Sequence, residues 1–151
     1  MSDEASPIRI LVVDDHPIVR AGIEALMTGH PDMIIVAQAA NGREAIQHFR
    51  THHPDVTLMD IQMPEMGGLD ALIGIRNESP GARIIMLTTY AGDAQVMRAI
   101  KAGACGYLLK SALHRELLDT IRGVHAGKKA LSAEASYEVA EHAADDALTP
   151  A

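Results

Sequence analysis

The sequence predicts an α/β domain with a doubly wound parallel sheet built from five consecutive βα units. Two observations support this fold class. Five short apolar runs are rich in Ile, Val and Leu, which is typical of strands buried on both faces. Between these runs lie segments whose apolar side chains recur at helical spacing. Strict alternation of strands and helices predicts a parallel sheet covered by helices on both faces.

The five predicted strands are each four to six residues long. They are residues Ile8–Val13, Met33–Gln38, Val56–Met59, Arg83–Thr88 and Gly106–Leu109.

Helix signals fill the intervals. Pro17 suits the first position of helix one. Asn41, followed three residues later by Glu44, predicts a capping box at the start of helix two. Gly103 is well placed to end helix four. Apolar residues at helical spacing mark helices three and five; these are Leu69, Leu72, Ile73, Leu113, Leu117, Ile121 and Val124.

Composition narrows the class of protein. The chain has 151 residues, 48% of them hydrophobic, which suits one domain with an ordinary core. Its single cysteine, Cys105, excludes an internal disulfide and suits a reducing cytoplasm. No apolar run approaches the roughly 18 residues of a membrane span, so no membrane association is expected. A net charge of −7 argues against tight nucleic-acid binding by this chain alone.

The negative charge is concentrated at the C-terminus. Residues 132–151 contain five acidic residues and no Lys or Arg. Ser132 resembles an N-cap, and Ala135, Val139 and Ala143 form a thin apolar stripe. The segment is therefore interpreted either as a short docked helix or as a frayed linker. Residues 1–7 are polar and acidic, and we expect them to be disordered.

Chemically able side chains collect at the predicted strand ends. In an open α/β sheet, ligands bind beyond the carboxyl ends of the strands. The residues found there are Asp14, Asp15, Asp60, Thr88, Thr89 and Lys110. Each has a plain interpretation alone, such as a helix cap, a turn former or a surface lysine. Together, however, three carboxylates repel one another unless a cation neutralises them, and hard oxygen ligands suit Mg²⁺. With the lysine, the set predicts a site that handles phosphoryl groups.

Four stretches make the sequence recognisable. They are ILVVDDHPIVRAGIEALM (10–27), DVTLMDIQMPEMGGLDAL (55–72), IIMLTTY (84–90) and AGACGYLLKS (102–111). The sequence resembles the receiver domain of bacterial two-component response regulators of the NarL/FixJ type, which carry a LuxR-type effector. The resemblance implies a receiver at residues 8–126 with the flavodoxin/CheY-like strand order 2-1-3-4-5. It also implies that residues 127–151 are a linker to a helix-turn-helix DNA-binding domain, which this chain lacks.

The resemblance implies a role for each site residue. Asp60 is the nucleophile that takes a phosphoryl group and forms an aspartyl phosphate. Asp15 binds Mg²⁺ directly, Asp14 binds it directly or through water, and the backbone carbonyl of Gln62 is a further ligand. Mn²⁺ is an alternative ion. Lys110 contacts the phosphoryl oxygens, and the chemistry consists mostly of alignment and charge neutralisation.

The resemblance also implies a conformational switch. The Thr88 hydroxyl bonds to the phosphate, Thr89 belongs to the same switch segment, and Tyr107 changes rotamer to fill the space that opens. The phosphoryl donor is a sensor histidine kinase, and phosphorylation promotes a homodimer. The output is DNA binding through the missing effector domain. The protein is then a cytoplasmic signalling domain and not an enzyme, apart from its own phosphorylation and dephosphorylation.

One position departs from many receivers, in which a proline with a cis peptide bond follows the lysine. Here Ser111 follows Lys110. A cis bond before a residue other than proline costs about 2.5–4 kcal/mol, so the path of this loop is left open. The NarL/FixJ type often lacks this proline, and we do not interpret the difference as loss of activity.

Three other functions are considered. A haloacid-dehalogenase-type phosphatase needs a second carboxylate two residues after the nucleophile, but Gln62 stands there. A flavodoxin-like cofactor binder needs a phosphate loop rich in glycine and hydroxyl groups after strand one, where this chain has Asp-Asp-His-Pro. A degenerate receiver that acts only as a protein-interaction module is the main alternative.

Histidines give weaker signals. His48 and His52 stand four residues apart on helix two, where they could share a metal ion, but no third ligand is evident. They are more simply explained as part of the helix end. His16 lies beside the acidic pair, where it could tune the pocket, but it is interpreted mainly as part of the start of helix one.

Overall fold

The computed structural model describes residues 6–127 together with the backbone of residues 130–131. The strands are β1 (Ile8–Val13), β2 (Met33–Ala39), β3 (Val56–Asp60), β4 (Ile84–Thr88), β5 (Gly106–Leu109) and β6 (Ala130–Leu131). The helices are α1 (Pro17–Met27), α2 (Gly42–His52), α3 (Gly68–Glu78), α4 (Ala94–Lys101) and α5 (Leu113–His125). A 3-10 turn, Lys110–Ala112, leads into α5.

All strands pair in parallel, in the order β2-β1-β3-β4-β5-β6. The predicted (βα)₅ fold and the strand order 2-1-3-4-5 are confirmed. The structure adds β6, which lies inside the segment predicted to be a linker. This strand pairs with Gly106 and Tyr107 of β5. Two residues are too few to show a periodic pattern in the sequence, whereas the free edge of β5 offers unpaired backbone groups.

The sheet separates two apolar layers, because successive side chains of a strand point to opposite faces. Leu11 and Val13 of β1 pack on one face with residues of α2, α3 and α4. Ile10 and Val12 pack on the other face with residues of α1 and α5. The central strands are therefore fully buried, which explains why the sequence shows continuous apolar runs instead of alternation.

The predicted helix ends are confirmed. Pro17 is the first residue of α1. The Asn41 side chain accepts a hydrogen bond from the Glu44 amide at 2.9 Å, and Glu44 accepts one from the Ala40 amide at 2.9 Å. Gly103 has a φ of 112° just after α4, a conformation that side chains with a Cβ rarely adopt.

Strand bounds differ slightly from prediction. β2 and β3 each extend one residue further, to Ala39 and Asp60, and β4 begins at Ile84 instead of Arg83. The helix predicted after Ser132 lies outside the described residues, as does most of the N-terminal segment predicted to be disordered. In the part of the chain that the structure describes, every helix is too short or too polar to cross a lipid bilayer.

Candidate functional site

The strand ends bring one lysine and two carboxylates into direct contact. Asp14 follows β1, Asp60 ends β3, and Lys110 follows β5. The Lys110 Nζ lies 2.9 Å from Asp14 Oδ2 and 3.2 Å from Asp60 Oδ1. Parallel strands end at one edge of the sheet, so three residues far apart in sequence form one cluster.

Backbone hydrogen bonds fix the acidic pair. The Asp14 amide donates to the carbonyl of Ala39 at 3.0 Å, which extends the pairing of β1 with β2. The Asp14 side chain accepts from the His16 amide at 2.8 Å, and the Arg20 guanidinium donates to the main-chain carbonyl of Asp14. Neither Asp14 nor Asp15 caps α1, since the N-cap position is occupied by His16, which makes no side-chain cap hydrogen bond. The plain interpretation of these aspartates as helix caps is therefore wrong.

Asp60 is held in a confined position. It is only 3% exposed. The chain after it turns tightly, and the Gly68 amide at the start of α3 donates to the Ile61 carbonyl at 3.1 Å. A Cβ on Gly68 would lie 2.1 Å from the carbonyl oxygen of Asp60, so only glycine permits this close approach. Asp60 Oδ2 is buried and has no hydrogen-bond partner among the described residues.

The electrostatics of the cluster follow from burial and like charge. Burial raises the pKa of the Asp60 carboxyl to about 6, and the charge of Asp14 adds to this effect, while Lys110 opposes it. For Lys110, burial lowers the pKa, but a hydrogen bond to Asp14 and the charges of Asp60 and Asp14 outweigh it, so the pKa is raised. The lysine therefore stays charged, and the carboxylates carry an excess of negative charge that one lysine does not neutralise.

A small cavity opens above this cluster. It has a volume of about 110 Å³. Its lining comprises His16, Asp60, Ile61, Gln62, Thr88, Thr89, Tyr90, Asp93 and Lys110. The predicted residues Asp60, Thr88, Thr89, Gln62 and Lys110 are thus brought together around one space.

The cluster offers ligands for a divalent cation. Asp14, Asp15, His16 and Asp60 each offer one ligand atom, and these atoms all lie within 4.8 Å of one another. The buried Oδ2 of Asp60 lacks a partner, which is the kind of oxygen that a hard cation satisfies. The donor set, three carboxylates beside a water-accessible cavity, fits Mg²⁺, which binds one or two carboxylates and keeps several waters.

Comparison with known proteins decides the family. Residues 10–122 match the response regulator receiver domain. The chain belongs to this family.

The relatives of this receiver are named as response regulators or as a transcriptional regulatory protein. It is 39% identical over 121 residues to the uncharacterized transcriptional regulatory protein YxjL of Bacillus subtilis, covering 80% of this chain and 56% of that protein. It is 36% identical over 133 residues to the response regulator UvrY of Escherichia coli, covering 88% of this chain and 61% of that protein. The chain is 37% identical over 126 residues to the nitrate/nitrite response regulator protein NarL of E. coli. This match covers 83% of this chain and 58% of that protein. The chain therefore spans 56% to 61% of the length of these curated relatives.

A solved structure supports the same family assignment. The crystal structure of a LuxR-family two-component response regulator from Aurantimonas matches this receiver with a TM-score of 0.85 and 40% identity. The match covers 92% of this chain and 99% of that chain. The predicted resemblance to receivers of the NarL/FixJ type, with LuxR-type relatives, is confirmed.

Tyr107 lies below the cavity of the receiver and not in its lining. The ring is fully buried in the apolar layer that faces α4, and its hydroxyl donates to the Ala91 carbonyl. The Thr88 hydroxyl donates to the Tyr90 carbonyl and accepts from the Tyr90 amide, both at 3.2 Å. Tyr107 is thus already inside, and both predicted switch residues hydrogen-bond to the loop after β4, Thr88 to Tyr90 and Tyr107 to Ala91.

Sequence reasoning missed several residues around the site. Tyr90 and Asp93 line the cavity from the loop between β4 and α4, and Arg20 reaches the Asp14 backbone from the first turns of α1. His16, in contrast, is a residue that the sequence already places beside the acidic pair, and the structure shows its ring in contact with both aspartates. The sequence signal for Arg20 is its position in the first turn of α1, a few residues after the acidic pair, where a long side chain can reach back to the pair.

The structure shows the conformation of the peptide bond after Lys110 and the geometry of the histidine pair on α2. The peptide bond between Lys110 and Ser111 is trans, as are the other peptide bonds that the structure describes. His48 and His52 stack with ring centroids 5.8 Å apart. Among the described residues, neither belongs to a group of three or more metal-ligating side chains, so the pair still lacks a third ligand.

Proposed function

We propose that this receiver accepts a phosphoryl group on Asp60 from a phosphohistidine of a sensor histidine kinase. The observation that carries the proposal is the contact of the Lys110 ammonium with Asp60 Oδ1 at 3.2 Å, beside an Asp60 Oδ2 that has no hydrogen-bond partner among the described residues. Lys110 thus holds one oxygen of Asp60, and no described residue compensates the charge of the other. Asp60 also lines the cavity through which a donor reaches it.

The transfer needs a nucleophile and charge compensation. A carboxylate oxygen of Asp60 attacks phosphorus, and the new O–P bond forms as the N–P bond to the donor imidazole breaks. The electron pair of that bond returns to the imidazole nitrogen, which then takes a proton. Lys110 offsets negative charge on the phosphoryl oxygens, since alignment and electrostatics supply most of the catalysis in phosphoryl transfer.

The acidic residues are proposed to hold Mg²⁺. Asp15 and Asp60 supply carboxylate oxygens, Asp14 contributes directly or through water, and the Gln62 carbonyl is a further proposed ligand. Mn²⁺ is proposed as an alternative ion. When bound, the ion supplies positive charge next to the phosphoryl oxygens. The unpartnered Asp60 oxygen and the excess of carboxylates support this assignment.

The switch is proposed to start at Thr88. Its hydroxyl lies on the cavity wall and exchanges its bonds to Tyr90 for a bond to the phosphoryl group. Thr89 moves with it, and the loop that Tyr107 holds through Ala91 follows. A local charge change is thereby passed to α4 and β5.

The proposed output is transcriptional and takes place in the cytoplasm. The relatives that this chain matches in part are named as response regulators or transcriptional regulatory proteins. We propose that phosphorylation promotes a homodimer and that a helix-turn-helix domain, reached through residues 127–151, binds DNA. The receiver itself turns over no substrate beyond its own phosphorylation and dephosphorylation.

Labelling with a small phosphodonor tests the proposal. The chain is incubated with acetyl phosphate and Mg²⁺, and its intact mass is measured. We expect the mass of one phosphoryl group to be added, and we expect the addition to disappear with EDTA and in Asp60→Asn. Asp119→Asn, on an exposed face of α5, is the matched control and should label like wild type.

A negative labelling result would distinguish the alternative functions. If wild type takes no phosphoryl group, or if Asp60→Asn is labelled equally, the protein is a degenerate receiver that acts through protein contacts alone. Continuous release of phosphate from phosphomonoesters would instead indicate a phosphatase.

A further inference from the structure

His16 contacts both members of the acidic pair. Its Nδ1 lies 3.0 Å from Asp14 Oδ1 and 3.2 Å from Asp15 Oδ1. The His16 amide also donates to Asp14 Oδ1 at 2.8 Å, so backbone and ring are both fixed towards the carboxylates. The ring nitrogen is therefore aimed at the same space as the oxygens that are proposed to bind a divalent ion.

The helix does not need this side chain. His16 occupies the N-cap position of α1 but makes no side-chain cap hydrogen bond, and 64% of the side chain is exposed. It lines the cavity together with Asp60 and Lys110. Its role is thus tied to the site and not to packing.

We propose that His16 Nδ1 is an additional ligand of the divalent ion site and lets the receiver bind borderline transition ions. The inference rests on the proposed function, because it extends the metal site of the proposed phosphoacceptor. The ligand atoms of His16, Asp14, Asp15 and Asp60 lie within 4.8 Å of one another, close enough for one ion to contact a nitrogen and several oxygens.

Ligand chemistry separates two classes of ion at this site. Mg²⁺ prefers oxygen ligands and gives up its waters reluctantly, so it gains little from an imidazole. Co²⁺, Ni²⁺ and Zn²⁺ bind imidazole well, and the affinity of nitrogen and oxygen sites for divalent ions rises from Mn²⁺ through Co²⁺ and Ni²⁺ to Cu²⁺. In the contact with Asp14 Oδ1 the ring donates from Nδ1, because a carboxylate oxygen only accepts. To act as a ligand, Nδ1 gives up this hydrogen bond and presents its lone pair while the proton sits on Nε2, where the exposed ring allows water to hydrate it. His16 therefore adds affinity for Co²⁺ and leaves the affinity for Mg²⁺ nearly unchanged.

Another group of histidines could bind Co²⁺ and obscure the effect of His16, so it must be disabled before the affinity is measured. His48 and His52 stack on α2 and could bind Co²⁺ independently. The experiment therefore uses the full chain carrying His48→Gln as the reference protein. His16→Gln is compared with His114→Gln, which removes another exposed imidazole on α5.

The test is calorimetric titration with Co²⁺ and, separately, with Mg²⁺. For His16→Gln we expect Co²⁺ to bind at least about tenfold more weakly, since losing even an outer-shell partner costs 10–100-fold in metal affinity. Mg²⁺ affinity should stay within about threefold of the reference, because Mg²⁺ selects oxygen ligands. His114→Gln should match the reference with both ions.

Each other outcome overturns the inference in a recognisable way. Unchanged Co²⁺ affinity in His16→Gln would mean that His16 only hydrogen-bonds to the carboxylates. Equal losses for Co²⁺ and Mg²⁺ would mean that it positions the loop and is not a ligand. If the reference protein bound neither ion, the proposed metal site itself would fail together with the inference. Acetyl phosphate labelling of wild type, with its EDTA control, would then show whether phosphoacceptance survives.

Discussion

Lys110 Nζ lies 3.2 Å from Asp60 Oδ1, and the same ammonium lies 2.9 Å from Asp14 Oδ2. One cation therefore bridges two buried carboxylates that belong to different strands. Breaking a buried ion pair by removing one partner leaves an uncompensated charge, which is far more costly than losing a surface pair. The stability of the metal-free receiver and its chemistry therefore depend on the same contact.

Replacing the lysine tests this dependence. In EDTA, Lys110→Met should lower the free energy of unfolding by about 2–4 kcal/mol, because Asp14 and Asp60 then repel each other without a buried partner. Urea unfolding measures the change. Arg43→Met breaks the exposed pair with Glu65 and should cost about 0–1 kcal/mol. The double variant Lys110→Met/Asp60→Asn should recover part of the loss. A loss in Lys110→Met no larger than in Arg43→Met would contradict the account.

The raised pKa of Asp60 predicts a stability change with pH. The pKa of Asp60 is about 6 in the folded protein against an ordinary value of 3.8, so between these two pH values the folded state binds more protons than the unfolded state. This contribution to wild-type stability is present below pH 4 and is lost as the pH rises through 6. Asp60→Asn should therefore be more stable than wild type above pH 6, by about 1–3 kcal/mol, and equal to it near pH 4.

Urea unfolding in EDTA at several pH values measures this difference. Asp119→Asn controls for the loss of a carboxylate, because Asp119 is 90% exposed. An advantage of Asp60→Asn that stays constant with pH would show that ionisation of Asp60 is not its source.

Replacing two helical glycines by alanine should change the stability of the protein in opposite directions. Gly68→Ala should destabilise the protein by about 1–3 kcal/mol, because its Cβ meets the Asp60 carbonyl at 2.1 Å and the backbone must shift. It should also slow labelling by acetyl phosphate. Gly22→Ala on α1 meets nothing within 4 Å and should stabilise by about 0.5–1 kcal/mol. Thermal unfolding distinguishes them, and equal effects would contradict the assigned close approach.

Tyr107 links β5 to the loop before α4. Removing its hydroxyl in Tyr107→Phe takes a donor from the Ala91 carbonyl, which should cost about 0.5–1.5 kcal/mol. We expect faster amide hydrogen exchange at residues 89–93. Tyr90→Phe is the control, since Tyr90 is 70% exposed. Unchanged exchange in Tyr107→Phe would show that this hydrogen bond does not order the loop.

The sequence allowed the strands and the main site residues to be predicted for a simple physical reason. Buried parallel strands appear as continuous apolar runs, and parallel topology brings the residues after them, such as Asp14, Asp60 and Lys110, to one edge. Alternation of elements alone therefore located the cluster before any distance was known.

Other features depend on contacts across the fold that no local pattern carries. Arg20 reaches the Asp14 carbonyl and the side chain of Gln38 in β2 because the fold places α1 beside the ends of β1 and β2. The ring of His16 turns towards the carboxylates instead of capping its helix. The two-residue strand β6 pairs with β5, and the hydroxyl of the inward-facing Tyr107 donates to Ala91, so both features depend on segments distant in the sequence.

The central claim is that Asp60 is the residue that carries the phosphoryl group. The most direct measurement is to phosphorylate the chain with acetyl phosphate and Mg²⁺, reduce it with borohydride, and sequence its peptides by mass spectrometry. Reduction converts an aspartyl phosphate to homoserine and leaves a free aspartate unchanged. The account predicts homoserine at position 60, with Asp14 and Asp15 intact. Homoserine at another aspartate, or at none after full exposure to the donor, would contradict it.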